Sequence, residues 1–323
     1  MKILITGGAG FIGSNFVRML FNGELDDLKD FHSVTVLDSL SIGSNLNNLM
    51  SVKNDSRFNF VRGDIRSVAL VNDVLKGHEF VIHFAAQSHV DRSISDPLEF
   101  FEVNAIGTSN ILQASLLNGV RKVIHVSTDE VYGSINHGSW KENCPLLPNS
   151  PYAASKACSD LIALSYFKTY GLDINITRCS NNYGPYQFIE KAIPLFITNL
   201  LAGKKMPIYG DGQNSRDWLY VEDHCRAIAK VLTGGTPGEI YNIGGGLELT
   251  NLELANKIIS KLNLGPESLE FVTDRLGHDK RYALNFDKIS SSLGYVPQIA
   301  FDRGLETTIN WYRDNPNSWK TND

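Results

Sequence analysis

Through the first half of the chain, short apolar runs rich in β-branched residues alternate with longer stretches of helical periodicity. Lys2–Thr6, Ser33–Asp38, Phe58–Arg62, Phe80–Phe84, Lys122–Ser127 and Ile174–Arg178 read as strands. Phe11–Phe21, Ser67–Leu75, Glu99–Asn118 and Tyr152–Tyr170 read as helices. The strands lack strict polar alternation, as expected where helices cover both sheet faces. This rhythm predicts an α/β fold: a doubly wound parallel Rossmann sheet.

After about residue 180 the rhythm breaks. Asn181–Pro185 and Gly210–Asn214 interrupt shorter elements. We read residues 1–180 as a dinucleotide-binding domain and 181–323 as a smaller α/β substrate-binding domain. Asp217–Leu232 reads as a helix and Ile240–Ile243 as a strand, both returning to the first domain. The two domains are therefore interleaved, with about 217–245 joining the first.

Composition narrows the class. The chain has 323 residues, 42% of them hydrophobic, with a net charge of -5. That is ample for a large core and offers no basic surface for nucleic acid or an anionic membrane. Cys144, Cys158, Cys179 and Cys225 are widely spaced, so free thiols in a reducing cytoplasm are expected rather than disulfides or zinc. The eight histidines show no metal-ligand spacing; His32, His78 and His137 read as surface residues, and His83 as a packed residue beneath a cofactor. Met1–Ile5 meets a glycine cluster too soon to serve as a leader or a membrane span.

Gly7-Gly8-Ala9-Gly10-Phe11-Ile12-Gly13 follows the first strand and opens the first helix. Glycines there permit a tight turn and let backbone N–H groups approach a pyrophosphate at the helix N-terminus. Asp38 ends the second strand, where a carboxylate accepts hydrogen bonds from ribose hydroxyls and repels a 2′-phosphate; this favours NAD over NADP. Asp64-Ile65 after the third strand is positioned to border the adenine.

Tyr152 and Lys156 stand four residues apart at a helix start and so share one face. An ammonium beside a phenol favours the phenolate, which can take a proton from a substrate hydroxyl while hydride leaves the same carbon. Thr128, at the end of the fifth strand, can hydrogen-bond that hydroxyl. With the glycine turn and Ser127-Thr128, this pair resembles the extended short-chain dehydrogenase/reductase family over nearly the whole chain.

Asp129 and Glu130 follow directly. Adjacent carboxylates at a redox centre repel if both ionise, so their proton affinities separate into one acid and one base. Loss of water needs both; a simple alcohol oxidation needs neither. Ser127–Gly133, Arg178–Phe188, Gly210–Trp218 and Asp274–Tyr282 together resemble the dTDP-glucose 4,6-dehydratases. Ile189 and Leu276 replace the usual prolines and Lys280 the usual arginine.

That resemblance implies oxidation at glucose C4, removal of the C5 proton by Glu130, protonation of the departing 6-hydroxyl by Asp129, and hydride return to C6. It implies cofactor contacts from Ser41, Phe84, Ala85, Ala86, Ser88, Val103 and Asn182 besides the glycine turn. It implies substrate contacts from Ser88, Thr128, Asn181, Lys191, Ala192, Pro207, Tyr209, Asn251, Arg275, His278 and Tyr282, with Arg216 meeting the diphosphate. It also implies a homodimer, with Glu99–Asn118 and Tyr152–Tyr170 forming an intersubunit four-helix bundle. A nucleotide-sugar 4-epimerase or decarboxylase shares the glycine turn, Tyr152 and Lys156. Asp129-Glu130 argues against the epimerase, and a decarboxylase wants a further cation. A non-catalytic NAD sensor could keep the glycine turn but has no use for the intact catalytic set. Thymine and uracil remain alternatives as the base.

Overall fold

The computed structural model describes residues 1–274 and 276–319. The chain runs β1 (Lys2–Thr6), α1 (Phe11–Phe21), β2 (Ser33–Asp38), β3 (Phe58–Arg62), α2 (Val68–Leu75), β4 (Phe80–His83), α3 (Val90–Ser95), α4 (Pro97–Phe101), α5 (Thr108–Leu117), β5 (Lys122–Thr128), α6 (Pro151–Tyr170) and β6 (Ile174–Cys179). It continues through β7 (Asn181–Tyr183), α7 (Ala192–Leu201), β8 (Met206–Tyr209), β9 (Ser215–Tyr220), α8 (Val221–Gly234), β10 (Ile240–Ile243), β11 (Glu248–Thr250), α9 (Asn251–Leu262), β12 (Leu269–Val272), α10 (Asp287–Leu293) and α11 (Phe301–Asp314).

Among the described residues, β3-β2-β1-β4-β5-β6-β10 form one sheet, parallel throughout. Its order reverses beside β1, where β2 leads one way and β4 the other. Ligands of such sheets bind outside the strand C-termini at that reversal. β5 is buried along its whole length, Lys122 and His125 included, because the sheet is covered on both faces there. One core cluster joins β1, β2, α1, α8 and β10; another lies on the opposite face with α2, α5 and β6. A further cluster joins α7, β8, β9, α9 and α11. There β11-β9-β7 and β12-β8 make two small sheets.

Three readings need correction. Asp217 to Tyr220 belong to strand β9, and the helix starts at Val221. The Asp217 carboxylate accepts 3.0 Å hydrogen bonds from the Gly245 and Leu247 N–H groups, which tie the segment down as a strand. The Glu99–Asn118 stretch is not one regular helix: Glu102–Gly107 widens into a π-helical turn between α4 and α5. The extra residue lets Asn104 bond Gln87 through backbone N–H and carbonyl, at 2.8 and 2.9 Å, and also Ser155 Oγ at 2.8 Å. His78 is half-buried rather than a surface residue, with Nε2 3.0 Å from Thr35 Oγ1.

Candidate active site

The glycine turn seats α1 directly on β1. Gly7 has φ +69°, and a Cβ there would sit 2.6 Å from the Ala85 nitrogen. A Cβ on Gly13 would come 2.4 Å from the Gly7 carbonyl oxygen. Neither position admits a side chain, so the first turn of α1 lies close on the strand and leaves its N–H groups facing the cleft above. Asp38 is buried at the end of β2; one carboxylate oxygen accepts from Ala9 N–H at 2.9 Å, the other from Leu40 N–H at 2.8 Å.

The cleft runs along the strand C-termini. Gly7, Gly10, Phe11, Ile12, Gly13, Asp38, Ser41, Asp64, Ile65, Phe84, Ala85, Ala86, Ser88, Val103 and Asn182 line it, as do Thr128, Asp129, Glu130, Tyr152, Lys156, Asn181 and Lys191. The glycine cradle and the Asp38 carboxylate fit the pyrophosphate and ribose of a dinucleotide.

The reactive end is built by β5 and α6. Ser150 caps α6 by accepting from Ala153 N–H at 3.1 Å, and Pro151 opens the first turn. Tyr152 and Lys156 therefore sit in the first two turns, both buried. Lys156 Nζ donates to the Val126 carbonyl at 2.8 Å, anchoring the ammonium at the end of β5. Burial lowers its pKa to about 8, against the opposing charge of Asp160. The Tyr152 phenol is pushed well up by burial and by the Glu130 charge, with the Thr128 hydroxyl opposing. Thr128 caps the following turn: its hydroxyl accepts from Glu130 N–H and donates to Asp129 Oδ1, both at 3.3 Å. Asp129 is buried, and burial, Glu130 and Asp217 hold its carboxyl well above the ordinary carboxylate range. It is thus biased towards the neutral acid, beside the carboxyl of Glu130.

Beneath Lys156 lies a buried network that carried no assigned role in the sequence. Burial pushes the Asp160 carboxyl up, but Arg178 and His125 outweigh it and hold it near about 2. Arg178 Nε donates to Asp160 at 2.8 Å, and His125 Nε2 lies 3.3 Å from the same carboxylate. Arg178 also donates to Tyr132 Oη at 2.7 Å. Asp160 stands one turn beyond Lys156, so the helical period could have found it. At the cleft mouth, Arg92 on α3 forms a bidentate pair with Glu190 at 2.6 and 3.0 Å. These residues are 98 positions apart, and no local signal joins them.

The expected substrate contacts fall into two places. Ser88, Thr128, Asn181 and Lys191 line the cleft, with Lys191 Nζ donating to the Ser88 carbonyl at 2.5 Å. Ala192 follows as the first residue of α7. Pro207, Tyr209, Asn251, His278 and Tyr282 lie beyond it: Pro207 and Tyr209 on β8, Asn251 opening α9, His278 with its ring 6.2 Å from that of Tyr209. Arg216 links the two, packed 4.5 Å over the Tyr282 ring and donating to the Asp279 carbonyl at 2.8 Å, while its charge acts on Asp129. Arg275 lies outside the described residues.

Over nearly its whole length the chain is similar to named dehydratases. A dTDP-glucose 4,6-dehydratase from Actinoplanes sp. is 53% identical, over 99% of this chain and 100% of its own. The crystal structure of the dTDP-glucose 4,6-dehydratase DesIV from Streptomyces venezuelae with NAD and TYD bound is 56% identical, with a TM-score of 0.98 over 99% of both chains. That of the dTDP-glucose 4,6-dehydratase from Bacillus anthracis in complex with NAD is 46% identical, with a TM-score of 0.90 over 99% of this chain and 98% of its own. Residues 4–308 match the model of the GDP-mannose 4,6 dehydratase family. With the cleft, the reactive end and all of the sheet but its first two residues inside that match, the chain belongs to the GDP-mannose 4,6 dehydratase family.

Proposed function

We propose that the protein is an NAD-dependent dTDP-glucose 4,6-dehydratase, converting dTDP-glucose to dTDP-4-keto-6-deoxyglucose and water. The observation that carries this reading is the placement of a buried Asp129 and of Glu130 in one cleft with Tyr152 and Lys156. An epimerase sharing the redox pair has no use for that acid and base.

The Gly7–Gly13 turn and Asp38 would hold NAD, which when bound would supply a hydride acceptor for sugar C4 and a hydride donor for C6. Tyr152 takes the C4 hydroxyl proton, and Lys156 stabilises the phenolate. The resulting ketone acidifies C5. Glu130 removes the C5 proton, and Asp129 protonates the departing 6-hydroxyl. Glu130 then returns a proton to C5. Arg216 and Lys191 are the cations offered to the diphosphate.

We also propose a cytoplasmic homodimer. Among the described residues no helix is long and apolar enough to cross a membrane. Leu98, Leu117 and Leu161 on α4, α5 and α6 are exposed apolar residues that a four-helix interface would cover. Leu161→Glu is expected to convert a sedimenting dimer to monomer.

Incubation with dTDP-glucose tests the activity: the alkaline chromophore of a 4-keto-6-deoxy sugar is expected, in preference to turnover of UDP-glucose. Recovery of the C4 epimer instead would replace this reading with the epimerase.

A further inference from the structure

In the proposed reaction the hydride taken from C4 returns to C6 of the same sugar, so the net chemistry neither consumes nor exchanges the dinucleotide. A reduced cofactor that left after water loss would strand the sugar as an unsaturated ketone. Retention through the whole cycle is thus a requirement of that reading, and the following inference rests on it.

One segment of the chain meets the requirement. Residues 184–191 connect β7 to α7 and pass over the crevice at the reversal of sheet order, touching both of its walls. On the β1 side, the Asn15 amide of α1 donates to the Pro185 carbonyl at 3.1 Å. The Arg18 guanidinium lies 3.5 Å from the centre of the Tyr186 ring, and the Trp311 ring of α11 packs 4.6 Å from it. Further along, Phe188 faces the loop after β2, where a Cβ on Gly43 would be 3.9 Å from its ring. On the β4 side, Lys191 Nζ donates to the Ser88 carbonyl at 2.5 Å. There too Glu190 accepts both bonds of the Arg92 fork, at 2.6 and 3.0 Å. Gly43, Arg92, Phe188, Glu190 and Lys191 line the same cleft as the glycine turn and Asp38.

The two ends of this crossing differ. Near Tyr186 the segment is wedged between α1 and α11 by a buried Asn15 and by stacked rings. At the other end it is held by charge, and the Arg92 and Glu190 side chains are 42% and 35% exposed. An ion pair this open to water can break and re-form without disturbing a core. We propose that residues 187–191 are a strap across the dinucleotide cleft and that the Arg92–Glu190 pair is its clasp, closing over NAD and setting the rate at which NAD enters and leaves. Arg92 and Glu190 are positioning residues, acting through the strap rather than on the sugar.

The test loads the full-length protein with NAD and chases it with an excess of isotopically labelled NAD, with no sugar present. Arg92→Ala and Glu190→Gln are each expected to exchange NAD about 5-fold or more faster than wild type. Glu190→Gln keeps the shape of the side chain, so the result does not depend on the Arg92 truncation folding well. The reversed pair, Arg92→Glu with Glu190→Arg, distinguishes a clasp from two separate contacts with the cofactor. Either reversal alone should exchange fast, and the two together should return towards the wild-type rate. Wild-type exchange in Glu190→Gln overturns the clasp. So does a reversed pair that exchanges as fast as its single reversals, since each residue would then act on NAD by itself. Absence of the 4-keto-6-deoxy product from wild type is a separate outcome: it removes the dehydratase reading, whereas the exchange rates are measured without sugar.

Discussion

Glu130 and Asp129 differ by one position and in solvent access: Asp129 is buried, whereas Glu130 is only partly buried. That difference divides their roles, and Glu130→Gln tests it. Glutamine keeps the shape but cannot take the C5 proton. Product formation should fall about 10²-fold or more, while C4 oxidation continues and enzyme-bound reduced nicotinamide accumulates in its absorbance band. Undiminished product from this variant is incompatible with an elimination base at Glu130. At this scale the sequence was informative wherever a motif is local. Gly7–Gly13, Thr128-Asp129-Glu130 and the Tyr152–Lys156 spacing could be read directly and line one cleft. The Asp160–Arg178–His125 network and the Arg92–Glu190 pair could not, because tertiary folding joins their members. The sequence also gave no way to see that burial would push the Asp129 and Lys156 proton affinities in opposite directions, since desolvation depends on packing.

The elements of the large sheet were the most legible part of the fold. β1, β2 and β3 have the bounds that the apolar runs suggest. β9 was not legible. Its residues are polar enough to resemble the solvated start of α8, and it became a strand only because β7 and β11 flank it. The π-helical turn before α5 was equally hidden, because its cause is the Asn104 contact with residues far along the chain. The junction of β1 with α1 makes the sharpest prediction at this scale. Gly13→Ala places a Cβ against two backbone atoms, 2.4 Å from the Gly7 oxygen and 2.8 Å from the Gly8 Cα. Backbone cannot yield as a side-chain tip does, so α1 must lift from the turn. A loss of about 1–3 kcal/mol in denaturant unfolding is expected, with NAD affinity by calorimetry weakened in parallel. Wild-type affinity in this variant contradicts the cradle.

Across the whole molecule, buried histidines couple stability to acidity. His224 is fully buried, and burial lowers its pKa from 6.5 to about 3. The unfolded chain binds a proton there between those values and the folded chain does not, so stability at this site falls as pH drops from 6.5 towards about 3. His224→Asn stays neutral and can keep the contact with Asn182 Oδ1, 2.9 Å away from His224 Nδ1. Relative to this variant, wild type should lose about 1.4 kcal/mol per pH unit through that window, read from denaturant midpoints. A parallel pH dependence in both proteins would mean that His224 is not held neutral.

The first hydrophobic core also draws on residues from late in the chain. Cys225, Ile228, Val231 and Leu232 of α8 pack with β1 and α1, and β10 closes the edge of β6. During synthesis, then, a chain that has emerged only as far as Cys179 has made its glycine turn, its catalytic helix and six of its seven parallel strands, yet lacks one wall of its core. The intervening β7, α7, β8 and β9 must be made before that wall arrives. Competence to hold a dinucleotide is therefore expected only once about residue 243 has left the ribosome, which places cofactor capture among the last events of folding.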